Sequence, residues 1–144
     1  MGVGTSGALA DYGTKYFNNA GLPAFEVIDP YQPLMTNNAK TMTVVALSIS
    51  GKTNFIIAQI VAYKRDGVKV IAITNEVNNT MANMADISIP YNVAHEGSKV
   101  HALGNLTTQL PVMAILEQLA HKTQEIRQNK KNKLIDDTFK SNFV

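Results

Sequence analysis

The run Thr43-Val44-Val45-Ala46-Leu47 is apolar without a break, rich in β-branched side chains, and leads directly into Ser48-Ile49-Ser50-Gly51-Lys52-Thr53. A strand apolar at every position has to be covered on both faces, as parallel strands between two layers of helices are. Val68-Lys69-Val70-Ile71-Ala72-Ile73 is a second such run. Between them, Thr53 to Asp66 reads as a helix with Phe55, Ile56, Ile60 and Tyr63 toward the core, ended by Gly67. Strand, helix and parallel strand in that order form a β-α-β unit, so the expected fold is a doubly wound α/β domain.

The remaining segments extend this pattern. Leu9, Tyr12, Tyr16 and Ala20 recur at helical spacing, with Gly21 as the cap and Pro23 as the stop. Ala24 to Ile28, bounded by Pro23 and Asp29-Pro30, suits a strand. Pro30 and Pro33 frame a connecting segment with a helical turn or two over Leu34 to Ala39. Thr74-Asn75 opens a loop to a small helix near Thr80 to Met84, and Asp86 to Pro90 reads as a short edge strand. A last helix is expected from Leu103 or Leu106 to Arg127, with Leu110, Met113, Ala114, Leu116 and Leu119 as its apolar stripe and Pro111 near its start or at a kink.

Length and composition narrow the possible functions. The 144 residues suffice for about one domain, and 45% hydrophobic with 17% charged residues describe a chain that folds. No apolar run approaches the ~20 residues of a bilayer span, and the N-terminus lacks a secretory pattern, so a cytoplasmic location is expected. Without cysteine there is no disulfide, no thiolate catalysis and no cysteine-based metal site. The net charge of +2 is concentrated at one end: from Lys122 onward six basic residues face three acidic ones, leaving residues 1–121 slightly acidic. A solvated helix end followed by a loose basic tail over 128–144 explains this better than a nucleic-acid surface.

In a parallel sheet, ligands bind beyond the carboxyl ends of the strands. Two loops there stand out. Gly2-Val3-Gly4-Thr5-Ser6-Gly7 opens the first helix, where small residues and a helix N-terminus favour an anion. Ser48 to Thr53 offers three hydroxyls and a glycine at the start of the next helix, suited to a tetrahedral anion such as phosphate. Helix capping by Ser and Thr is the plainer reading of the same hydroxyls. The first loop also matches G-x-G-x-x-G, with Asp29 about where a dinucleotide site keeps its ribose acid, but only Met1 stands where the preceding strand is required. Gly51-Lys52-Thr53 resembles the end of an ATP-binding phosphate loop, yet Ala46 replaces that motif's first glycine. His95, His101 and His121 show no metal-ligand spacing and are read as structural or exposed.

Taken together, G-x-G-x-S at Gly2, Gly4 and Ser6 and S-x-S-G-x-T at Ser48, Ser50, Gly51 and Thr53 resemble the sugar isomerase (SIS) domain, and most closely the phosphosugar-sensing half of RpiR-type transcriptional regulators. Val70 to Thr74, the Ala85-Asp86 pair and Glu96 extend the resemblance to about Leu119. It implies a flavodoxin-like parallel sheet, a dimer or tetramer, no cofactor, and a phosphosugar site. In that site Ser48, Ser50 and Thr53, with the backbone of Gly51 and Lys52, would grip the phosphate, Ser6 would assist, and Glu96 would face the sugar hydroxyls. Two departures stand out. The helix-turn-helix that precedes the SIS domain in such regulators has no counterpart before Gly2, so DNA binding is not expected of this chain. The apolar strand that normally leads into the first loop is also missing, as in a truncated chain or fragment. An SIS domain over 1–127 is the expected organisation, with phosphosugar sensing as its role. The alternatives are aldose-ketose isomerisation, with Glu96 as base, and a dinucleotide-binding module.

Overall fold

The computed structural model describes residues 1–94 and 107–142, with side chains as far as residue 135. Helix α1 (Thr5–Asn19) buries Leu9, Ala10 and Gly13 on one face. Its end is a Schellman arrangement, in which Gly21 at φ 73° lets its own N–H and that of Leu22 bond back to the carbonyls of Asn18 and Phe17. Beyond a 3-10 turn at Ala39–Thr41 come strand β1 (Thr43–Leu47), helix α2 (Asn54–Arg65) and strand β2 (Lys69–Thr74). Helix α3 (Thr80–Met84), strand β3 (Ile87–Pro90) and helix α4 (Leu110–Asn142) follow.

The strands pair in the order β1-β2-β3, all parallel, with Val44 opposite Val70 and Ile71 opposite Ile87. Strand side chains alternate between faces, so each apolar run feeds two cores. Val44, Ala46, Val70 and Ala72 pack with Ile56, Ile60 and Tyr63 of α2 and Met81 of α3. On the other face Leu47 and Ile73 pack with Leu9 and Ala10 of α1 and Val112 and Leu116 of α4. The doubly wound parallel architecture is therefore present. Ile56, Ile60 and Tyr63 are almost wholly buried, and each contributes about 1.5–3 kcal/mol by leaving water. Helices α1 and α4 approach closely because Gly13 carries no side chain: a Cβ there would lie 3.3 Å from both terminal methyls of Leu116.

Several sequence expectations need correction: the helical turn expected over Leu34 to Ala39 is confined to the 3-10 turn at Ala39–Thr41, and Leu110 is exposed instead of joining the apolar stripe of α4. Ala24 to Ile28 forms no strand. A strand is defined by its ladder, and among the described residues the one backbone bond on this side runs from Gly2 N–H to the Val27 carbonyl at 3.1 Å. The last helix starts at Leu110, with Pro111 in its first turn where no N–H is required, and does not stop at Arg127. It runs on through the basic stretch to Asn142, replacing the expected loose tail, because residues 128–142 contain no glycine or proline to break it. His121 is exposed and its Nε2 meets the Tyr16 hydroxyl at 3.1 Å, a structural contact. Among the described residues no helix is long and apolar enough to cross a membrane.

Candidate functional site

The site begins with how Met1 and Gly2 sit against the sheet. The Met1 amine donates to the Val45 carbonyl at 2.6 Å, and Leu47 N–H donates to the Met1 carbonyl at 2.9 Å. This is the bond pattern of a parallel bridge around Ala46. Gly2 N–H points the other way, to Val27. The backbone at Met1-Gly2 thus lies between β1 and the extended segment 24–28. From it the chain enters α1 on one face of the sheet; from β1 it enters α2 on the opposite face. Adjacent strand positions that send their helices to opposite faces define the switch point of a doubly wound sheet, where the crevice for a ligand opens. The two loops singled out from sequence, 2–7 and 48–53, flank that crevice.

Within the second loop the polar groups converge. Ser48 is buried; its Oγ accepts the Gly51 N–H at 3.1 Å and lies 3.0 Å from Thr53 Oγ1. Ser50 Oγ accepts the Lys52 N–H at 3.2 Å. Thr53 occupies the N-cap of α2, yet its hydroxyl makes no capping bond and turns to Ser48 instead. The first turn of α2 has no acidic residue, so its free N–H groups and partial positive charge face the loop without a competing carboxylate. Ser50 and Lys52 are exposed at the rim, and Thr53 is half-buried.

The loop is held in this shape by residues that the sequence reading passed over. Gly51 adopts φ 62°, and a Cβ on it would fall 1.9 Å from Asn79 Oδ1. Asn79 is buried, with its Oδ1 capping α3 through Ala82 N–H at 2.9 Å and its Nδ2 donating to Thr74 Oγ1 at 3.1 Å and to the Glu76 carbonyl at 2.8 Å. Met81 N–H reaches the Gly51 carbonyl at 2.9 Å, and the Thr74 hydroxyl and Asn75 N–H both donate to the Ile49 carbonyl. The loop after β1 is therefore clamped to the loop after β2. The available sequence signal was Asn79 as a polar residue one position before a helical segment.

Of the candidate residues, Ser48, Ser50, Gly51, Lys52 and Thr53 come together in one loop. Ser6 is buried in the first turn of α1 on the other side of the crevice, and no hydrogen bond joins it to the second loop among the described residues. Glu96, like His95 and His101, lies outside the described residues. Asp29, the acid of the dinucleotide reading, accepts the Tyr31 N–H at 2.9 Å and so closes its own turn. Among the described residues no group of three His, Asp or Glu side chains could hold a metal ion.

The fold and the site define a doubly wound α/β domain with a hydroxyl-lined loop at its switch point. Residues 1–129 match the SIS domain family, to which the chain belongs. It is 24% identical over 121 residues to an uncharacterized HTH-type transcriptional regulator of Clostridium perfringens, covering 83% of this chain and 42% of that protein. It is 32% identical over 124 residues to the arabinose 5-phosphate isomerase KpsF of Escherichia coli, covering 83% of this chain and 36% of that one. The chain thus spans less than half the length of these curated relatives. Among solved structures, the Vibrio vulnificus NanR protein complexed with ManNAc-6P superposes with a TM-score of 0.71 at 19% identity, covering 95% of this chain and 53% of that one. The domain is thus related both to regulators and to an isomerase.

Proposed function

We propose that this chain is a phosphosugar-binding domain of the kind RpiR-type regulators use to sense an effector, with Ser48, Ser50, Thr53 and the Gly51 and Lys52 backbone holding the phosphate. The observation that carries this reading is the Thr53 hydroxyl, which stands at a helix N-cap, caps nothing, and joins Ser48 in the loop that follows the carboxyl end of β1. Capping alone would have used that hydroxyl on the helix. Ser6 and Glu96 are proposed to complete the site from neighbouring loops. Two or more copies acting together would transmit the signal by linkage, the sugar phosphate favouring one packing of the assembly over another. The NanR structure supports this by analogy, its ligand being a sugar phosphate.

A second reading, phosphosugar isomerisation, is favoured by the 32% identity to KpsF. Aldose-ketose exchange needs a base that removes a proton beside a carbonyl. Glu96 is the one acidic residue that the sequence offers near the site, and a single candidate base without a clear partner supports binding over turnover. Two experiments separate these readings. A ligand at a hundred times its Kd stabilises the folded form by about 2.7 kcal/mol, so titration with arabinose 5-phosphate, N-acetylmannosamine 6-phosphate, the free sugars and NAD should raise the melting temperature for a sugar phosphate alone. The Ser50→Ala, Thr53→Ala double variant should stay folded and lose that rise. Stabilisation by NAD alone, or an undiminished rise in the double variant, overturns the assignment. Aldose-ketose exchange above background, followed by NMR, would make the domain an enzyme.

A further inference from the structure

The chain that leaves β3 is fastened to the end of β2 by backbone bonds and by the side chain of Asn75. Tyr91 N–H donates to the Thr74 carbonyl at 3.1 Å, and Asn92 N–H donates to the Asn75 carbonyl at 3.0 Å. Asn92 holds φ 47°, a left-handed value that Asn adopts at lower cost than most residues. Past that turn, Asn75 Oδ1 accepts the Val93 N–H at 2.9 Å and Asn75 Nδ2 donates to the Val93 carbonyl at 3.0 Å. A carboxamide carries the donor and the acceptor of a peptide group, so this pair takes the place of a strand rung where β2 has ended. Asn75 is 4% exposed, which leaves water little part in the arrangement. An aspartate there has no donor for the Val93 carbonyl, and an apolar side chain serves neither Val93 group.

The same residue is joined to the loop after β1, because its main-chain N–H donates to the Ile49 carbonyl at 3.1 Å. Ile49 lies between Ser48 and Ser50, two of the hydroxyls assigned to the phosphate. Val93 stands three residues before Glu96, and three residues of chain reach at most about 11 Å. Asn75 thus has its backbone on one segment of the proposed site and its carboxamide on the start of another.

We propose that Asn75 is a positioning residue for selectivity: it fixes the separation between loop 48–53 and the segment that carries Glu96, and so selects sugar phosphates by the distance from the phosphate to the hydroxyl that Glu96 meets. It acts through Val93 and not by touching the ligand. Hydrogen bonds weaken steeply with misalignment, so a small displacement of that segment is enough to lose one to a sugar hydroxyl. The inference rests on the phosphosugar reading above and concerns the choice of sugar, not the capture of phosphate.

The test is an NMR titration of the full chain with arabinose 5-phosphate, N-acetylmannosamine 6-phosphate and inorganic phosphate. The quantity read is the affinity for the tighter sugar phosphate divided by that for inorganic phosphate. Asn75→Ala removes the hold on Val93 and keeps the main-chain bond to Ile49, so this ratio is expected to fall about tenfold, as for one lost hydrogen bond to a charged group. Asn75→Asp keeps the bond from Val93 N–H and carries the same readout if the alanine variant does not fold; its added charge acts on both ligands and cancels in the ratio. A merely structural role would weaken both ligands together. A ratio within about twofold of the parent's in the folded variant overturns the inference. So does a tenfold loss that recurs in full in a Glu96→Ala background, since two residues acting as one unit give losses that do not add. The phosphosugar reading fails by other signs, and the inference with it: the parent chain binds neither sugar phosphate, or binds one undiminished after Ser50→Ala, Thr53→Ala.

Discussion

Gly51→Ala tests the clamp on the loop after β1. At φ 62° an L side chain costs about 1–2 kcal/mol of backbone strain. The new Cβ would also lie 1.9 Å from Asn79 Oδ1, a separation no pair of atoms tolerates, so Asn79 has to leave its place. With it go the α3 cap to Ala82, worth about 1 kcal/mol, and the bonds to the Thr74 hydroxyl and the Glu76 carbonyl, about 1 kcal/mol each. The total is about 4–5 kcal/mol, a large share of the roughly 5–15 kcal/mol that holds a domain folded. Asn79→Ala alone loses the same bonds without the strain, about 3 kcal/mol. Since Gly51→Ala already expels Asn79, the double variant should be little worse than Gly51→Ala, a coupling of about 3 kcal/mol. Urea denaturation of the four proteins measures this cycle. Costs that add to within about 0.5 kcal/mol would show that the two residues do not meet, and the clamp would have to be abandoned.

Three further perturbations probe the frame around the site. Leu116→Ala, at a buried position against Gly13, should cost about 2–5 kcal/mol by calorimetry, since the α1–α4 seam cannot close over the cavity it leaves. The Met1 amine has its pKa lowered from 8.0 to about 5, so the folded chain binds fewer protons than the unfolded one across that interval. Stability should therefore rise with pH between 5 and 8, by up to about 4 kcal/mol, and N-terminal acetylation should flatten the slope. The Asp86 carboxylate is held below its usual range, first by the Val70 N–H at 2.8 Å and then by Lys64 and Lys69. Its contribution is complete above the ordinary carboxylate pKa and fades as pH falls through the lowered one, so Asp86→Asn should lower the Tm at neutral pH and reduce the loss of stability on acidification.

Much of the parallel core could be read before any coordinates. Strand β1 and helix α3 fall on the expected residues, and β2 and α2 differ by a residue at their ends. Uninterrupted β-branched runs have one economical environment, between two layers of helices, and such runs announce themselves locally. The hydroxyl-rich loop was legible for the same reason, since a strand followed by small polar residues and a helical stripe fixes where the turn must lie.

Other features depend on residues far apart in the chain. Ala24 to Ile28 has strand chemistry and no ladder, because backbone partners come from elsewhere in the fold: among the described residues Gly2 reaches it at Val27, while side chains of Asn18 and Gln32 take Ala24 and the Glu26 carbonyl. Asn79 looks like an ordinary polar residue until α3 places its carboxamide against Gly51, a position with no room for a side chain. Local pattern in this chain was enough to place β1, α2, β2 and α3 and to mark the hydroxyl-rich loop between β1 and α2. The pairing of Met1 with β1, the switch point it creates and the clamp on the loop arise from through-space contacts, which spacing along the sequence does not encode.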